Sequence, residues 1–508
     1  MTIRKNKYFA SLSLLIILLS QLSCKKDCLE KEKCTPSTYV STYVIEQTTP
    51  AATGNTYFID AEEGKKGNDG KSTDNPFKEI ENLEEVELQA GDQILFKRGQ
   101  YHFGDLRIEA SGTETDRIYI ADYGSGDLPL IKSKDKKDGK ALYLFNADYV
   151  TIQNLNIQGG TNAILLEGSD YAIIQGCRIG EESESGIRAT GRYSETTGSN
   201  YGIVRHCLIY SGLEGDLGDL QGTDGIQLMD GASNWLVSKN EFKAWGHSAL
   251  NIKPIYTTLN SNNNLIEGNL FDCSDIDYMR ALDITGPENR ATNNVFQKNI
   301  IKNQTVTSHL HGNGNTVAYN LFIGLKTTAA STQPWAIDFH VFIGNSGGVD
   351  RNEYVCFDNK VYNNVFYNFQ DGVGIRSLDS KSGTLNAVHD NEVVNNIFYN
   401  VGTALEIDEE PTAMKVTNNL FYSTGPSTAF KFENASYNFA TFTALSGVDG
   451  FLIENNLDAN PLFVNPGAND FMLTLGSVAI DAGLDVGLSS DFAGGSLVGV
   501  PDIGAFEY

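Results

Sequence analysis

Three of the chain's seven histidines, His309, His311 and His340, share one stretch with Asp283, Asp338 and Arg376, and Asn251 and Lys253 precede them. Such residue types carry protons, orient rings and hold anions. One chemistry they suit is elimination on a uronate. It needs a cation or strong donor on the carboxylate, a base for the neighbouring C–H, and an acid for the departing oxygen. Arg376 or Lys253 would hold the carboxylate, bidentate geometry favouring Arg. Lys253, His311 or His340 would take the proton, with Asp283 or Asp338 orienting a His. The departing oxygen carries a sugar in a lyase and is a hydroxyl of a terminal uronate in a dehydratase. A second chemistry is glycosidic hydrolysis by Asp283 and Asp338, ~10 Å apart if one coil lies between them, against roughly 6.5–9.5 Å for an inverting pair. A third reading, a glycan-binding surface without catalysis, predicts aromatic rather than titratable groups. Asn251, His309, Asn313, Arg188, Gln227 and Trp335 read as substrate contacts, Trp335 as a platform for a sugar ring.

These residues are distant in sequence, so a repeat must bring them together. The pattern apolar-x-x-Asn-x-apolar runs from Val150 to Leu457. It is centred on Asn154, Asn240, Asn269, Asn299, Asn320, Asn364, Asn396, Asn419 and Asn456, with Gly176 and His206 in the Asn place of two early copies. Steps are as short as 21 residues, from Asn299 to Asn320. Each copy alternates apolar and polar residues, the period of a strand. Short strands joined by Asn and Gly corners predict an all-β fold, a right-handed parallel β-helix solenoid. Asn suits the corners because it tolerates the left-handed conformation. Longer steps are coils with inserted loops.

A second strand recurs in most coils, as in Asp224-Gly-Ile-Gln-Leu-Met229, Ser248-Ala-Leu-Asn-Ile-Lys253 and Arg280-Ala-Leu-Asp-Ile-Thr285. Its third residue is Ile or Leu and points inward, so the second, fourth and sixth face out. Aligning Ser308-His-Leu-His-Gly-Asn313 and Val373-Gly-Ile-Arg-Ser-Leu378 in the same way predicts two outward columns. One is Arg188, Gln227, Asn251, Asp283, His311, Asp338, Arg376 and Glu406. The other is Thr190, Met229, Lys253, Thr285, Asn313, His340, Leu378 and Asp408. A coil between Phe342 and Asp371 would alter the stacking.

Composition sets the bounds. The 508 residues hold 38 Lys and Arg against 64 Asp and Glu, a net charge of −26, which argues against nucleic acid as a partner. Residues 1–23 carry Arg4, Lys5 and Lys7 before the apolar run Leu12 to Leu19 and read as an export signal. Residues 24–53 read as a polar tether containing Cys28 and Cys34, 54–139 as an N-terminal cap and first coils, 140–465 as the grooved helix, and 466–508 as a C-terminal cap. Cys177 and Cys207 take equivalent places and read as small buried residues, and Trp235 as core. No zinc pattern, phosphate loop or dinucleotide fingerprint occurs. No cofactor is firmly implied. Asp216, Asp219, Asp224 and Asp230 read as loop residues, with an oxygen-rich calcium site as the alternative. A monomer is expected.

Several motifs resemble known families. Leu22-Ser23-Cys24 is similar to a bacterial lipobox, which implies lipidation of Cys24, and Lys25-Lys26-Asp27 resembles the surface-export tag of Bacteroidetes lipoproteins. The resemblance implies a cell-surface protein held in the outer membrane by its lipid. Asn75-Pro76-Phe77 and Gly91-Asp92 resemble the opening, helix-capped segment of bacterial right-handed β-helix proteins, and Ser477 to Gly483 and Asp502 to Phe506 their closing segment. Gly222-Thr223-Asp224-Gly225-Ile226 and Gly246-His247-Ser248 are similar to parts of the polygalacturonase motifs. Gly246 through Asn251 to Lys253, followed by Asn269-Leu270-Phe271, resembles the chondroitinase B and alginate lyase type of polysaccharide lyase. So does Leu310-His311-Gly312-Asn313 before Asn320-Leu321-Phe322, with Leu310 where that family has Arg. This last resemblance implies Lys253 as base and an acidic polysaccharide, or its oligosaccharides, as substrate.

Overall fold

The structure, a computed structural model, describes residues 44–135, 138–182, 184–191, 196–210, 223–243, 246–272, 280–324, 335–341, 345–346, 349–350, 355–377, 388–408, 411–426, 428–433 and 435–508. Three long sheets wind through it. One of 14 strands runs from Thr56–Ile59 to Leu452–Glu454, and one of 13 from Tyr101–Phe103 to Leu457–Asp458. The third carries the groove. Its strands are β1 (Leu106–Ile108), β2 (Lys140–Phe145), β3 (Asn162–Glu167), β4 (Ser185–Thr190), β5 (Asp224–Leu228), β6 (Ser248–Ile252) and β7 (Arg280–Ile284). They continue as β8 (Ser308–Leu310), β9 (Trp335–Val341), β10 (Asp371–Ser377), β11 (Thr403–Ile407), β12 (Ala429–Phe432) and β13 (Ala435–Tyr437). β1 to β12 pair in parallel, each with the strand one coil on, and β13 closes the sheet antiparallel to β12. The fold is the predicted parallel β-helix.

The Asn repeat proves to be two adjacent columns. Asn154, Gly176, His206, Lys239, Gly268, Lys298, Tyr319, Asn363, Asn395, Asn418 and Asn455 all have φ between 52° and 65° and form a left-handed corner. The next residue along is Leu155, Cys177 and Cys207, then the buried Asn240, Asn269, Asn299, Asn320, Asn364, Asn396 and Asn419, ending at Asn456. Here the amide serves the interior. Asn240 Oδ1 accepts from Cys207 N, and its Nδ2 donates to Val204 O and to Asn269 Oδ1. The bond repeats from coil to coil, so no buried amide is left unpaired where the chain turns. Aligning Asn154 with Asn240 was therefore one residue out. Both places favour Asn, the first for its φ and the second for its amide. A second internal ladder, Asn264, Asn294, Asn315 and Asn359, supports the opposite corner.

Phenylalanines two residues beyond the buried Asn fill the core. Phe322, Phe366, Phe398 and Phe421 stack with ring centroids 4.8–5.1 Å apart. Cys177 and Cys207 are buried in register, and Trp235 is buried with its Nε1 donating to Ser199 O.

The ends consolidate the solenoid. Ile80–Glu85 is a short 3-10 helix that buries Ile80 and Leu83 against the first coils. Residues from Ile45 to Pro50, expected as free tether, are strapped across the coils: Gln47 N donates to Asn154 Oδ1, Thr49 accepts from Gln153, and Glu46 pairs with Arg98. The helix Phe439–Thr443 lays Phe442 on Phe430 of β12, 4.3 Å between centroids. The closing segment does more than cover an end. Phe463, Phe471, Phe492 and Phe506 pack on Leu321, Val365, Ile397 and Tyr399, and Asn363 donates to Asp502 O and Gly504 O. It shores up the wall away from the groove.

Candidate functional site

Strand register brings distant residues into one outward column: Arg188, Gln227, Asn251, Asp283, His309, Asp338, Gly374 and Glu406 are successive partners from β4 to β11. Two members differ from expectation. His309, not His311, follows Asp283, and Gly374, not Arg376, follows Asp338. Ser308 and Val373 take the inward place that sequence alignment gave to Leu310 and Ile375. The slip is two residues, so it changes the column and leaves the face unchanged. β9 pairs directly with β10, so no groove strand lies between them.

Glu184, Arg188, Asp224, Gln227, Met229, His247, Asn251, Lys253, Ile255 and Tyr256 line a cavity of about 260 Å³ over β4, β5 and β6. Asp224, the first residue of β5, organises it. Its Oδ1 accepts Ser248 N at 3.0 Å and lies 2.8 Å from His247 Nδ1; its Oδ2 accepts Gln227 Nε2 at 2.7 Å and Asn251 Nδ2 at 2.9 Å. With Nδ1 held, Nε2 is the working nitrogen of His247. Burial alone pulls the His247 imidazole down, but the Asp224 hydrogen bond and charge outweigh it, and its pKa is raised. Arg188 pairs with Glu184 through Nη1, and Lys253, just past β6, makes no ion pair among the described residues. Asp230 holds the Tyr256 segment of the lining by accepting Tyr256 N and Thr257 N.

Two further clusters follow along the groove. Asp283 is buried, pairs with Arg280 at 2.8 Å and accepts from Thr285 Oγ1 at 2.7 Å; His309 Nδ1 lies 3.4 Å from it. Burial pushes the Asp283 carboxyl up, but Arg280, His309 and His247 prevail and hold it well below the usual range. His311 is fully buried, its ring stacked on His309 and its Nδ1 3.4 Å from Thr285 Oγ1. In the third cluster Asp338 takes both Nε and Nη2 of Arg376, whose guanidinium lies 4.0 Å over the Trp335 ring.

The predicted residues thus divide. Arg188, Gln227, Asn251 and Lys253 line the cavity. Asp283, His309 and His311 form a buried cluster on the next two coils. Arg376 is not a free anion clamp, because Asp338 holds it, and Trp335 presents that ring face to Arg376 rather than to a sugar. Asn313 leaves the groove: beyond Gly312 the chain turns, and its amide braces Asn289. His340 pairs with Arg376 in backbone register, but its side chain is outside the described residues, as are Cys24, Cys28, Cys34, Trp245, Asp216, Asp219 and Leu378. Of the four aspartates read as loop residues or a calcium site, Asp224 and Asp230 are tied to the hydrogen bonds above. No group of three or more His, Cys, Asp or Glu among the described residues is placed to hold a metal ion.

His247 and Asp224 were not among the predicted site residues. Their signal was present: Asp224 opens one groove strand, and His247 stands immediately before the aligned Ser248 of the next. Arg280 opens the next strand in the same register, whereas Glu184 and Tyr256 carried no such pattern. At the amino-terminal end of the groove Arg107 lies over the Tyr143 and Phe145 rings, which adds aromatic surface the column reading did not include.

Residues 140–327 match the family model described as right handed beta helix region. No curated protein matches the chain in sequence. Among solved structures, XylC in complex with xylose superposes with a TM-score of 0.54 at 11% identity, over 89% of this chain and 98% of that one. A PL6 family polysaccharide lyase from Pseudopedobacter saltans gives 0.51 at 15% identity, over 78% and 95%. Pectate lyase Pel9A gives 0.47 at 15% identity, over 92% and 100%. At these identities the likeness is one of fold, and this chain is a right-handed parallel β-helix.

Proposed function

We propose that the chain is a carbohydrate-active enzyme that cleaves an acidic, uronate-containing glycan by β-elimination at the Asp224-centred cavity. The observation that carries this reading is the convergence of Arg188, Lys253 and a carboxylate-oriented His247 on one cavity of an open groove. Arg188 receives the uronate carboxylate, which stabilises the charge that develops as the neighbouring proton leaves. The Lys253 amine takes that proton, the C–H electron pair becomes the new C=C bond, and the C–O bond at the next ring carbon breaks, its oxygen leaving with that electron pair and the proton of His247 Nε2. The raised pKa of His247 suits the acid. Hydrolysis by Asp283 and Asp338 fits less well. Asp283 is held ionised, and both oxygens of Asp338 receive Arg376, so neither is placed to donate a proton.

The test is ultraviolet absorbance of the new C=C bond when protein lacking residues 1–24 is offered uronate polymers and uronate-ended oligosaccharides. Wild type should produce it, and Lys253→Met and His247→Ala should each lower the rate at least ~10²-fold. New reducing ends without that absorbance would overturn elimination in favour of hydrolysis. We further propose that a lipid on Cys24 carries the enzyme on the outer membrane. Cys24→Ala should then move it from the membrane fraction to the soluble one.

A further inference from the structure

Beside Arg188, the floor of the cavity carries two amides that elimination does not use. Arg188, Gln227 and Asn251 are successive rungs of one column, and each is more than nine-tenths buried. Arg188 Nε, Gln227 Oε1 and Asn251 Oδ1 are all buried without a hydrogen-bond partner. The orientation of the two amides is determined by their neighbour. Both nitrogens are taken by Asp224 Oδ2, so both carbonyl oxygens must turn away from it. Two acceptors on neighbouring strands, ~4.8 Å apart along the solenoid, are thus left without a donor on two residues that line the cavity. An unmet buried acceptor is costly, and native structures rarely keep one without a partner.

An acceptor pair repels a carboxylate, a sulfate or any group with lone pairs alone. It attracts O–H donors. We propose that Gln227 and Asn251 are specificity residues that read two free hydroxyl groups on the bound sugar, and that the cavity therefore rejects sugars O-substituted at those positions. The inference rests on the cavity being the substrate site of an acidic glycan. It also orients the ligand: the carboxylate lies at Arg188, and the hydroxyls lie over Gln227 and Asn251, the next two coils of the same column. Acetylating a hydroxyl removes the donor and puts a lone-pair oxygen against the amide. Sites that hydrogen-bond a substrate hydroxyl discriminate strongly against analogues that lack it.

The experiment measures binding by calorimetry to four uronate polymers, polygalacturonate, alginate, heparosan and chondroitin, each native and chemically O-acetylated. It uses protein lacking residues 1–24, and the ultraviolet assay is run alongside. The polymer that binds in native form should lose affinity at least about tenfold on acetylation. In Gln227→Met, which keeps the volume and removes the acceptor, that preference should collapse while the melting transition stays cooperative. Asn251→Leu should do the same if Gln227→Met fails to fold. Equal binding of native and acetylated forms, retained discrimination in the folded variants, or binding to none of the polymers would overturn the inference. Discrimination without ultraviolet absorbance would leave it standing and overturn elimination instead.

Discussion

His247 Nδ1 and Asp224 Oδ1 lie 2.8 Å apart across neighbouring groove strands. The pair sets both the orientation of the imidazole and the proton it carries. Asp224→Asn keeps the shape and removes the charge. Because Asp224 raises the His247 pKa against the pull of burial, the variant's imidazole should lose its proton at lower pH. As His247 acts as acid, the fall of kcat/KM on the alkaline side should shift to lower pH, with the maximum down ~10²-fold. An unshifted alkaline limb would mean that His247 does not donate the proton.

Arg376 and Asp338 make the opposite case, a charged pair that holds structure. Asp338 is wholly buried and takes two guanidinium nitrogens. Arg376→Met takes the guanidinium from a buried carboxylate and should cost roughly 3–5 kcal/mol in denaturant unfolding. The double variant Asp338→Leu with Arg376→Met should recover much of that loss, since an apolar pair replaces the ions. Turnover per folded molecule should stay within a few-fold of wild type. A far larger loss of turnover in folded protein would return Arg376 or Asp338 to the catalytic machinery.

The solenoid was legible because strand period and corner chemistry repeat in every coil, and errors in one copy are outvoted by the others. The site was only half legible, and the reason is geometric. Which face a residue takes depends on parity alone, so His309, Asp338 and Arg376 were all placed correctly on the outer face. Which column it joins depends on where each strand starts. Ser308 stands inward where other coils have Ile or Leu, and Val373 rather than Ile375 fills that place, so two strands fell two residues out of register. The partners Asp338–Arg376 and Asp283–His309 follow from rung and from side-chain length, which no spacing in the sequence records. The His247–Asp224 pair was missed because His247 precedes its strand instead of lying on the outward column.

Glu182 provides a test of the cavity's surroundings through stability. Its carboxyl is fully buried and neither oxygen meets a donor from another residue. Burial outweighs a hydrogen bond from its own backbone and, with smaller contributions from the charges of Glu181 and Asp224, pushes its pKa up to about 8 from 4.5. The unfolded chain ionises this group near 4.5 and the folded one near 8, so between those values the folded state holds the extra proton. Stability should therefore fall as pH rises through that window, by up to ~5 kcal/mol. Glu182→Gln should remove this slope and be the more stable protein at pH 8. Parallel pH profiles for wild type and variant, from urea unfolding at pH 5 and pH 8, would show that Glu182 is not the source.

The two corner columns should respond with opposite signs to changes one residue apart in the coil. Asn320 is fully buried; its Oδ1 accepts from Asn299 N and Nδ2, and its Nδ2 donates to Phe296 O and Asn364 Oδ1. Asn320→Ala leaves several buried groups unpaired in the middle of a cooperative ladder and should cost about 3–5 kcal/mol. Lys239 sits in the column just before, exposed, with φ of 55°. A lysine has no use for that conformation and asparagine tolerates it, so Lys239→Asn should gain about 0.5–1 kcal/mol. Denaturant midpoints of the two variants decide the matter. If Asn320→Ala is as mild as a surface change, the interior amide chain does not hold the coils together, and the repeated Asn would then reflect turn geometry alone.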